Sequence, residues 1–143
     1  MAEPMKSGVR GLPQNKKILV VDDDPDAAEL VGGLLELQGH EVRSAHTARE
    51  AIAVAKEFQP DIAFLDIGLP TMDGFELAAA LAMLPELRDC RLIAITGYDD
   101  ADDRRRSKQA GFEAHLVKPI AMDTLERIVL GAGGDPDHSR RVG

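Results

Sequence analysis

Four short apolar runs in this 143-residue chain each lead into side chains that can do chemistry. Ile18–Val21 runs into Asp22, Asp23 and Asp24, and Ile62–Leu65 runs into Asp66. Leu92–Ile95 is followed by Thr96, and Leu116–Val117 by Lys118 and Pro119. If these runs lie side by side and point the same way, three or four carboxylates, one hydroxyl and one ammonium meet at one edge. Clustered carboxylates repel one another unless a hard cation sits among them. Mg²⁺ suits such a set, because one or two carboxylates, waters and a phosphoryl oxygen satisfy it. Lys118 by charge and Thr96 by hydrogen bonding complete a cradle for a phosphoryl group. A carboxylate in such a place can itself be the nucleophile and form an aspartyl phosphate. Asp66, alone at the end of its run and facing both the acidic pair and the lysine, is the candidate nucleophile.

The elements that must position these residues follow from the hydrophobic pattern. Each of the four runs is short, unbroken and bounded by polar or turn residues, as strands covered on both faces are. Val42–Ala45 is of mixed character and suits an edge strand. Between the strands lie helical stretches. Asp24 and Pro25 read as an N-cap with proline at the first helical position. That helix presents Leu30, Leu34 and Leu37 on one face, widened by Val31 and Leu35, and closes at Gly39. Thr47 and Glu50 form a capping box that opens a second helix carrying Ala51, Ile52, Ala55 and Phe58, before Pro60. A third helix is predicted from Gly74 to Leu84, stopping at Pro85. A fourth runs from near Asp100 to Gly111, and a fifth covers Met122–Leu130.

Strands alternating with helices imply parallel β-α-β units with right-handed crossovers. Five of each predict an α/β fold, a doubly wound five-stranded parallel sheet in three layers, spanning residues 16–131. In open sheets of this kind ligands bind beyond the carboxyl ends of the strands, where the polar residues stand. The flanks, residues 1–15 and 132–143, are rich in Gly, Pro and charge and read as flexible tails.

Composition narrows the function classes. The 25 acidic and 17 basic residues give a formal charge of −8, which disfavours non-specific binding to nucleic acid or an anionic membrane. Trp is absent and there are one Tyr and four Phe, too few for a base-stacking platform. The single cysteine, Cys90, can form neither an internal disulfide nor a cysteine zinc site. No apolar run approaches the roughly 20 residues of a membrane span, and the first residues lack the apolar segment of a signal peptide. These features together predict a cytoplasmic protein.

The segments ILVVDDDPD, FLDIGLPTMDG, IAITG and LVKPI resemble, in order and spacing, the signature segments of the receiver domain of two-component response regulators. The resemblance covers the whole predicted core. It implies a flavodoxin-like (βα)5 sandwich of strand order 2-1-3-4-5. Position by position, it makes Asp66 the phosphoacceptor, Asp23 a direct Mg²⁺ ligand and Asp22 its partner acting through water or structure. It makes Gly68 the donor of a backbone carbonyl to the metal, Thr96 the switch hydroxyl, and Lys118 the phosphate-binding lysine before a cis peptide to Pro119. A phosphohistidine on a histidine kinase or phosphotransfer protein is then the donor. A downstream protein reads the face made by the fourth helix, fifth strand and fifth helix, and the chain is a monomer or a weak phosphorylation-dependent dimer. The stretch DDRRRSKQAGFEAHLVKPI is particularly similar to receivers joined to hybrid sensor kinases.

Two positions depart from the commonest receiver pattern. His115 stands three residues before Lys118, where the family often has a switching Tyr or Phe, and Gly68 stands where a larger side chain often tunes attack by water. Tyr98 is placed at the mouth of the site. Arg104–Arg106 read as a solvated helix face. Two other function classes stay open at the level of sequence. Asp22 and Asp24 form a D-x-D at a strand end, as in aspartate-nucleophile phosphohydrolases, although that leaves Asp66 without a role. An inert receiver that binds partners without phosphorylation is the third.

Overall fold

Alternate residues of each apolar run face opposite helical layers, which is why the runs are unbroken. In the computed structural model, Leu19, Val21, Ala63, Leu65, Leu92 and Ala94 pack on one side of the sheet. Ile18, Val20, Ile62, Phe64, Ile93 and Ile95 pack on the other. The structure describes residues 15–68, 73–97 and 101–131, apart from the side chain of Asp103. The predicted tails (Asn15 apart), Tyr98 and the helix start at Asp100 lie outside the described residues.

The elements alternate strictly: β1 (Lys17–Val21), α1 (Pro25–Leu37), β2 (Glu41–Ala45), α2 (Ala48–Phe58), β3 (Ile62–Asp66), α3 (Gly74–Ala82), β4 (Arg91–Thr96), α4 (Ala101–Ala110), β5 (Ala114–Val117) and α5 (Met122–Leu130). All strand pairs are parallel and their order is β2-β1-β3-β4-β5. The predicted fold class and strand order therefore hold. The mixed character of β2 matches its edge position, and β3, buried at every residue, lies at the centre. α1 and α5 cover one face through Ala28, Leu35, Leu125, Ile128 and Val129. α2 and α3 supply Ala51, Ala55, Leu77, Ala78 and Leu81 to the other. Each large side chain so buried contributes about 1.5–3 kcal/mol. Arg91 ties the lower edge together: its guanidinium donates to Glu113, at 2.6 and 2.7 Å, and to the carbonyls of Ile128 (2.6 Å) and Val129 (3.1 Å) at the C-terminus of α5.

The N-caps match the structure, while the Glu50 side chain of the predicted capping box reaches the N–H of His46 rather than that of Thr47. The Asp24 side chain accepts from the N–H of Asp26, with Pro25 at the first helical position, and the Thr47 side chain accepts from that of Glu50. Two expectations need correction. The inward face of α1 is formed by Ala28, Gly32 and Leu35, while Leu30 and Leu37 are 68% and 78% exposed. Small residues turn inward because the helix lies close to β2: a Cβ on Gly32 would stand 3.3 Å from Val42 Cγ1. α3 ends at Ala82, two residues earlier than predicted, because the residue before a proline is pushed out of helical geometry. Leu84 is extended, and Pro85–Leu87 forms a single 3₁₀ turn.

Gly74, the first residue of α3, sets the distance between that helix and the end of β3. A Cβ there would lie 2.6 Å from Ile67 Cγ2 and 2.8 Å from Ile67 Cα, and the latter is backbone that cannot swing aside. Ile67 follows Asp66 directly, so the close approach holds α3 against the segment that carries the carboxylate. Gly74→Ala is expected to lower stability by about 2–3 kcal/mol through overpacking, measured by urea unfolding. Retention of wild-type stability would show that α3 is free to shift outward.

Candidate functional site

The side chains singled out by sequence meet at the C-terminal ends of the central strands. Asp66 closes β3 and is 3% exposed; Asp22, one residue past β1, is 5% exposed. Lys118, one residue past β5, spans them. Its Nζ donates to Asp66 Oδ2 at 2.6 Å and lies 3.5 Å from Asp22 Oδ2. The second oxygen of Asp66, Oδ1, accepts the N–H of Gly68 at 2.8 Å, which turns the chain back over the carboxylate. Thr96 is buried at the end of β4, and its carbonyl accepts the N–H of Lys118 at 2.8 Å. A Cβ built on Gly68 would stand 3.4 Å from Thr96 Oγ1 and 3.6 Å from Asp66 Oδ1, so glycine leaves the space between hydroxyl and carboxylate open. Asp23 is half-exposed beside Asp22. The Lys118–Pro119 peptide bond is cis, as the resemblance implies.

The electrostatics follow from placing carboxylates and one ammonium at the mouth of an apolar core. Burial pushes the Asp22 carboxyl above its ordinary value, and the nearby charge of Asp66 acts the same way. The Asp24 N–H on Asp22 Oδ1, at 3.0 Å, and the charge of Lys118 oppose the rise without cancelling it. Burial works against the Lys118 ammonium, but its hydrogen bond to Asp66 and the charges of Asp66 and Asp22 outweigh that and hold its pKa above the ordinary value. Asp22 and Asp66 thus set two buried carboxylates around the Lys118 ammonium, with Asp23 half-exposed beside them, a donor set that suits a hard cation. Among the described residues no three or more His, Cys, Asp or Glu side chains already converge as a ligand set. Mg²⁺ asks for less than that, because it keeps several waters and takes one or two carboxylates. The donor chemistry fits.

Three other positions take defined places. His115 is buried on β5, and its Nδ1 lies 3.0 Å from Ser107 Oγ, a contact that joins β5 to α4. His40, at the opposite end of the sheet, uses Nδ1 to accept the N–H of Lys16 at 3.2 Å. Burial, aided by Lys16, holds its pKa below the ordinary value. Burial pushes the Cys90 thiol up to about 12, which keeps it protonated and unreactive at neutral pH. Of the Arg104–Arg106 run, Arg106 is not simply solvated: its guanidinium stacks 4.1 Å above the ring of Phe75. Sequence reading gave no role to Gly74 or to His46. The His46 Nδ1 lies 3.0 Å from the carbonyl oxygen of Asp22, and no sequence signal links two residues 24 positions apart.

A doubly wound parallel sheet of this order, with acids, a hydroxyl and an amine gathered along its C-terminal edge, defines a receiver-type α/β domain. The response regulator receiver domain model matches residues 18–130. The polar-differentiation response regulator DivK of Brucella ovis is 32% identical over 120 residues, which cover 84% of this chain and 98% of DivK. Among solved structures, the chemotaxis response regulator CheY4 of Vibrio cholerae aligns with a TM-score of 0.75 and 28% identity, covering 83% of this chain and 99% of that one. The receiver domain of a signal transduction histidine kinase from Syntrophus aciditrophicus aligns with a TM-score of 0.72 and 31% identity, covering 82% and 89% respectively. The chain belongs to the response regulator receiver family of two-component systems. No helix among the described residues is long and apolar enough to cross a membrane.

The state of Asp22 yields a stability prediction. A carboxyl whose folded pKa is raised favours folding below its ordinary value of 3.8, and that contribution is lost as pH rises through the folded value. At neutral pH Asp22 therefore opposes folding. Asp22→Asn keeps an acceptor for the Asp24 N–H and removes the charge. Without metal at pH 7 it is expected to melt above the wild type, measured by thermal unfolding. That gain should shrink as pH falls through the raised folded value and be gone below 3.8, where Asp22 is protonated in the folded and unfolded states alike. Millimolar Mg²⁺ should raise the melting temperature of the wild type and have less effect on the variant. Equal responses to Mg²⁺ would remove Asp22 from the metal site.

Proposed function

We propose that this receiver accepts a phosphoryl group on Asp66 from a phosphohistidine of a histidine kinase or histidine phosphotransfer protein. The observation that carries the reading is the ammonium of Lys118 on Asp66 Oδ2 at 2.6 Å and near Asp22 Oδ2 at 3.5 Å. That lysine neutralises the nucleophile's carboxylate and stands where phosphoryl oxygens arrive. In the transfer an Asp66 oxygen attacks phosphorus and a new O–P bond forms. The P–N bond to the donor imidazole breaks, and the imidazole leaves with its electron pair and takes a proton. Lys118 and the Thr96 hydroxyl bind the phosphoryl oxygens, and the N–H of Gly68 orients the carboxylate. Asp22, Asp23, Asp66 and the Gly68 carbonyl would hold Mg²⁺, which when bound offsets the charge of the transferring group.

The chain acts as a signalling domain, catalysing only its own phosphorylation and dephosphorylation. Asp24 serves as the N-cap of α1, with its Oδ1 accepting the Asp26 N–H at 3.0 Å. This engagement weighs against the D-x-D phosphohydrolase reading. The downstream partner binds the face made by α4, β5 and α5, where the buried Ser107–His115 contact lies behind the helix. Incubation with acetyl phosphate and Mg²⁺ should add one phosphoryl group, read by mass spectrometry, and Asp66→Asn should take none. Equal labelling of the variant would overturn the assignment, and steady hydrolysis of a phosphomonoester dependent on Asp22 would replace it with an enzyme.

A further inference from the structure

From Asp22 onward the main chain leaves the sheet, because β1 ends at Val21 and its neighbour β2 ends at Ala45. Two contacts hold it there. The N–H of Asp22 donates to the carbonyl of Ala45 at 3.1 Å, and the carbonyl of Asp22 lies 3.0 Å from His46 Nδ1. A carbonyl can only accept, so Nδ1 carries the proton in this contact. His46 is itself anchored. Its N–H donates to Glu50 Oε1 at 2.9 Å, and the N–H of Glu50 donates to Thr47 Oγ1, the N-cap of α2, at 3.0 Å. On the other side, Asp22 Oδ1 accepts the Asp24 N–H at 3.0 Å, and Asp24 Oδ1 caps α1 through the Asp26 N–H at 3.0 Å. Hydrogen bonds therefore link residue to residue from the start of α2, through the His46 ring, to Asp22 and the start of α1.

We propose that His46 is a positioning residue for Asp22 and Asp23, a role that rests on the phosphoryl-transfer reading of the site. The peptide unit between these two residues is planar, so the carbonyl held by His46 and the N–H of Asp23 turn together. Holding that plane restrains ψ of Asp22 and φ of Asp23, the backbone torsions that adjoin both carboxylate-bearing residues. Asp23, the half-exposed member, gains most, because its carboxylate has less packing around it than that of Asp22. Partners that orient a ligand without touching the metal are commonly worth 10–100-fold in affinity. His46 acts one covalent link further out, through the backbone, and the low end of that range applies.

Three variants test the role. Asn places its side-chain amide nitrogen at the reach of Nδ1, Gln places its nitrogen nearer the position of Nε2, and Ala removes the contact. In His46→Ala the amides of Asp22 and Asp24 should exchange with solvent about tenfold faster, and Mg²⁺ affinity measured by titration should fall about tenfold. His46→Asn should restore both and His46→Gln neither. The amide of Phe112, bonded to the Ser107 carbonyl at 3.0 Å elsewhere in the fold, should keep its protection in all three. Wild-type exchange and affinity in the Ala variant would overturn the proposal. So would loss of protection throughout the sheet, which would make His46 a general stability residue. Failure of the wild type to be labelled by acetyl phosphate would remove the phosphoryl-transfer reading, while the exchange measurement would still decide whether His46 holds the pair.

Discussion

The bond from Lys118 to Asp66 is the interaction on which the rest of the structure turns. Two carboxylates almost without solvent access, Asp22 and Asp66, share one ammonium. Removing charged groups from water is costly, and mutual attraction repays the cost only where geometry and additional hydrogen bonds are good. Both conditions are met by backbone. Asp66 Oδ1 takes the Gly68 N–H and Asp22 Oδ1 the Asp24 N–H, so the oxygens not facing the lysine are also satisfied. The arrangement still leaves carboxylates in excess, with Asp22 held above its ordinary pKa. Such a pocket is unfavourable in isolation and suited to receiving positive charge and a phosphoryl group.

The topology explains how these residues meet, although 52 positions separate Lys118 from Asp66. Parallel strands all end at the same edge, so a polar residue placed just after each apolar run is carried to one place. The loops that leave this edge then enter helices by their N-termini, and the caps of those helices add the fine adjustment. Asp24 caps α1 one residue after the acidic pair, and Asp73 caps α3 by accepting from the N–H groups of Phe75 and Glu76. Gly74 lets that second helix start within contact distance of Ile67, beside the phosphoacceptor candidate. The same turns that begin the helices therefore aim the carboxylates.

Much of this was legible in the sequence for a physical reason. Burial on both faces demands unbroken apolar strands, which makes four short runs conspicuous and the mixed fifth an edge, and proline or Thr-x-x-Glu at a helix start has few other uses. The polar ends of the strands were legible because charge is unusual immediately after a buried run. Less legible were features set by distance. Hydrophobicity alone assigned Leu30 and Leu37 to the core side of α1, whereas close packing on β2 favours Ala28 and Gly32 there. The His46 contact with Asp22 and the Ser107 contact with His115 each pair a residue singled out in the sequence with one that is unremarkable there. Only the folded geometry brings them together.

α4 shows the same principle from the opposite side. Its composition, ADDRRRSKQA, offers no apolar stripe, and among its described side chains only Ser107 is fully buried. Among its described contacts, Ser107–His115 lies under the helix, Arg106 stacks on Phe75, and Ala110 at its last turn packs against the core. A hydrogen bond contributes about 0.5–1.5 kcal/mol net and a partly exposed cation–π contact about 0.5–2 kcal/mol. α1, by comparison, anchors through Leu35, Ala28 and Gly32, whose burial does not depend on the protonation or orientation of any group. Segments with few buried apolar contacts open at lower free energy than the core to which they are joined. The sheet that carries the charged site is thus flanked by a helix whose described contacts are largely polar, with little buried apolar area behind them.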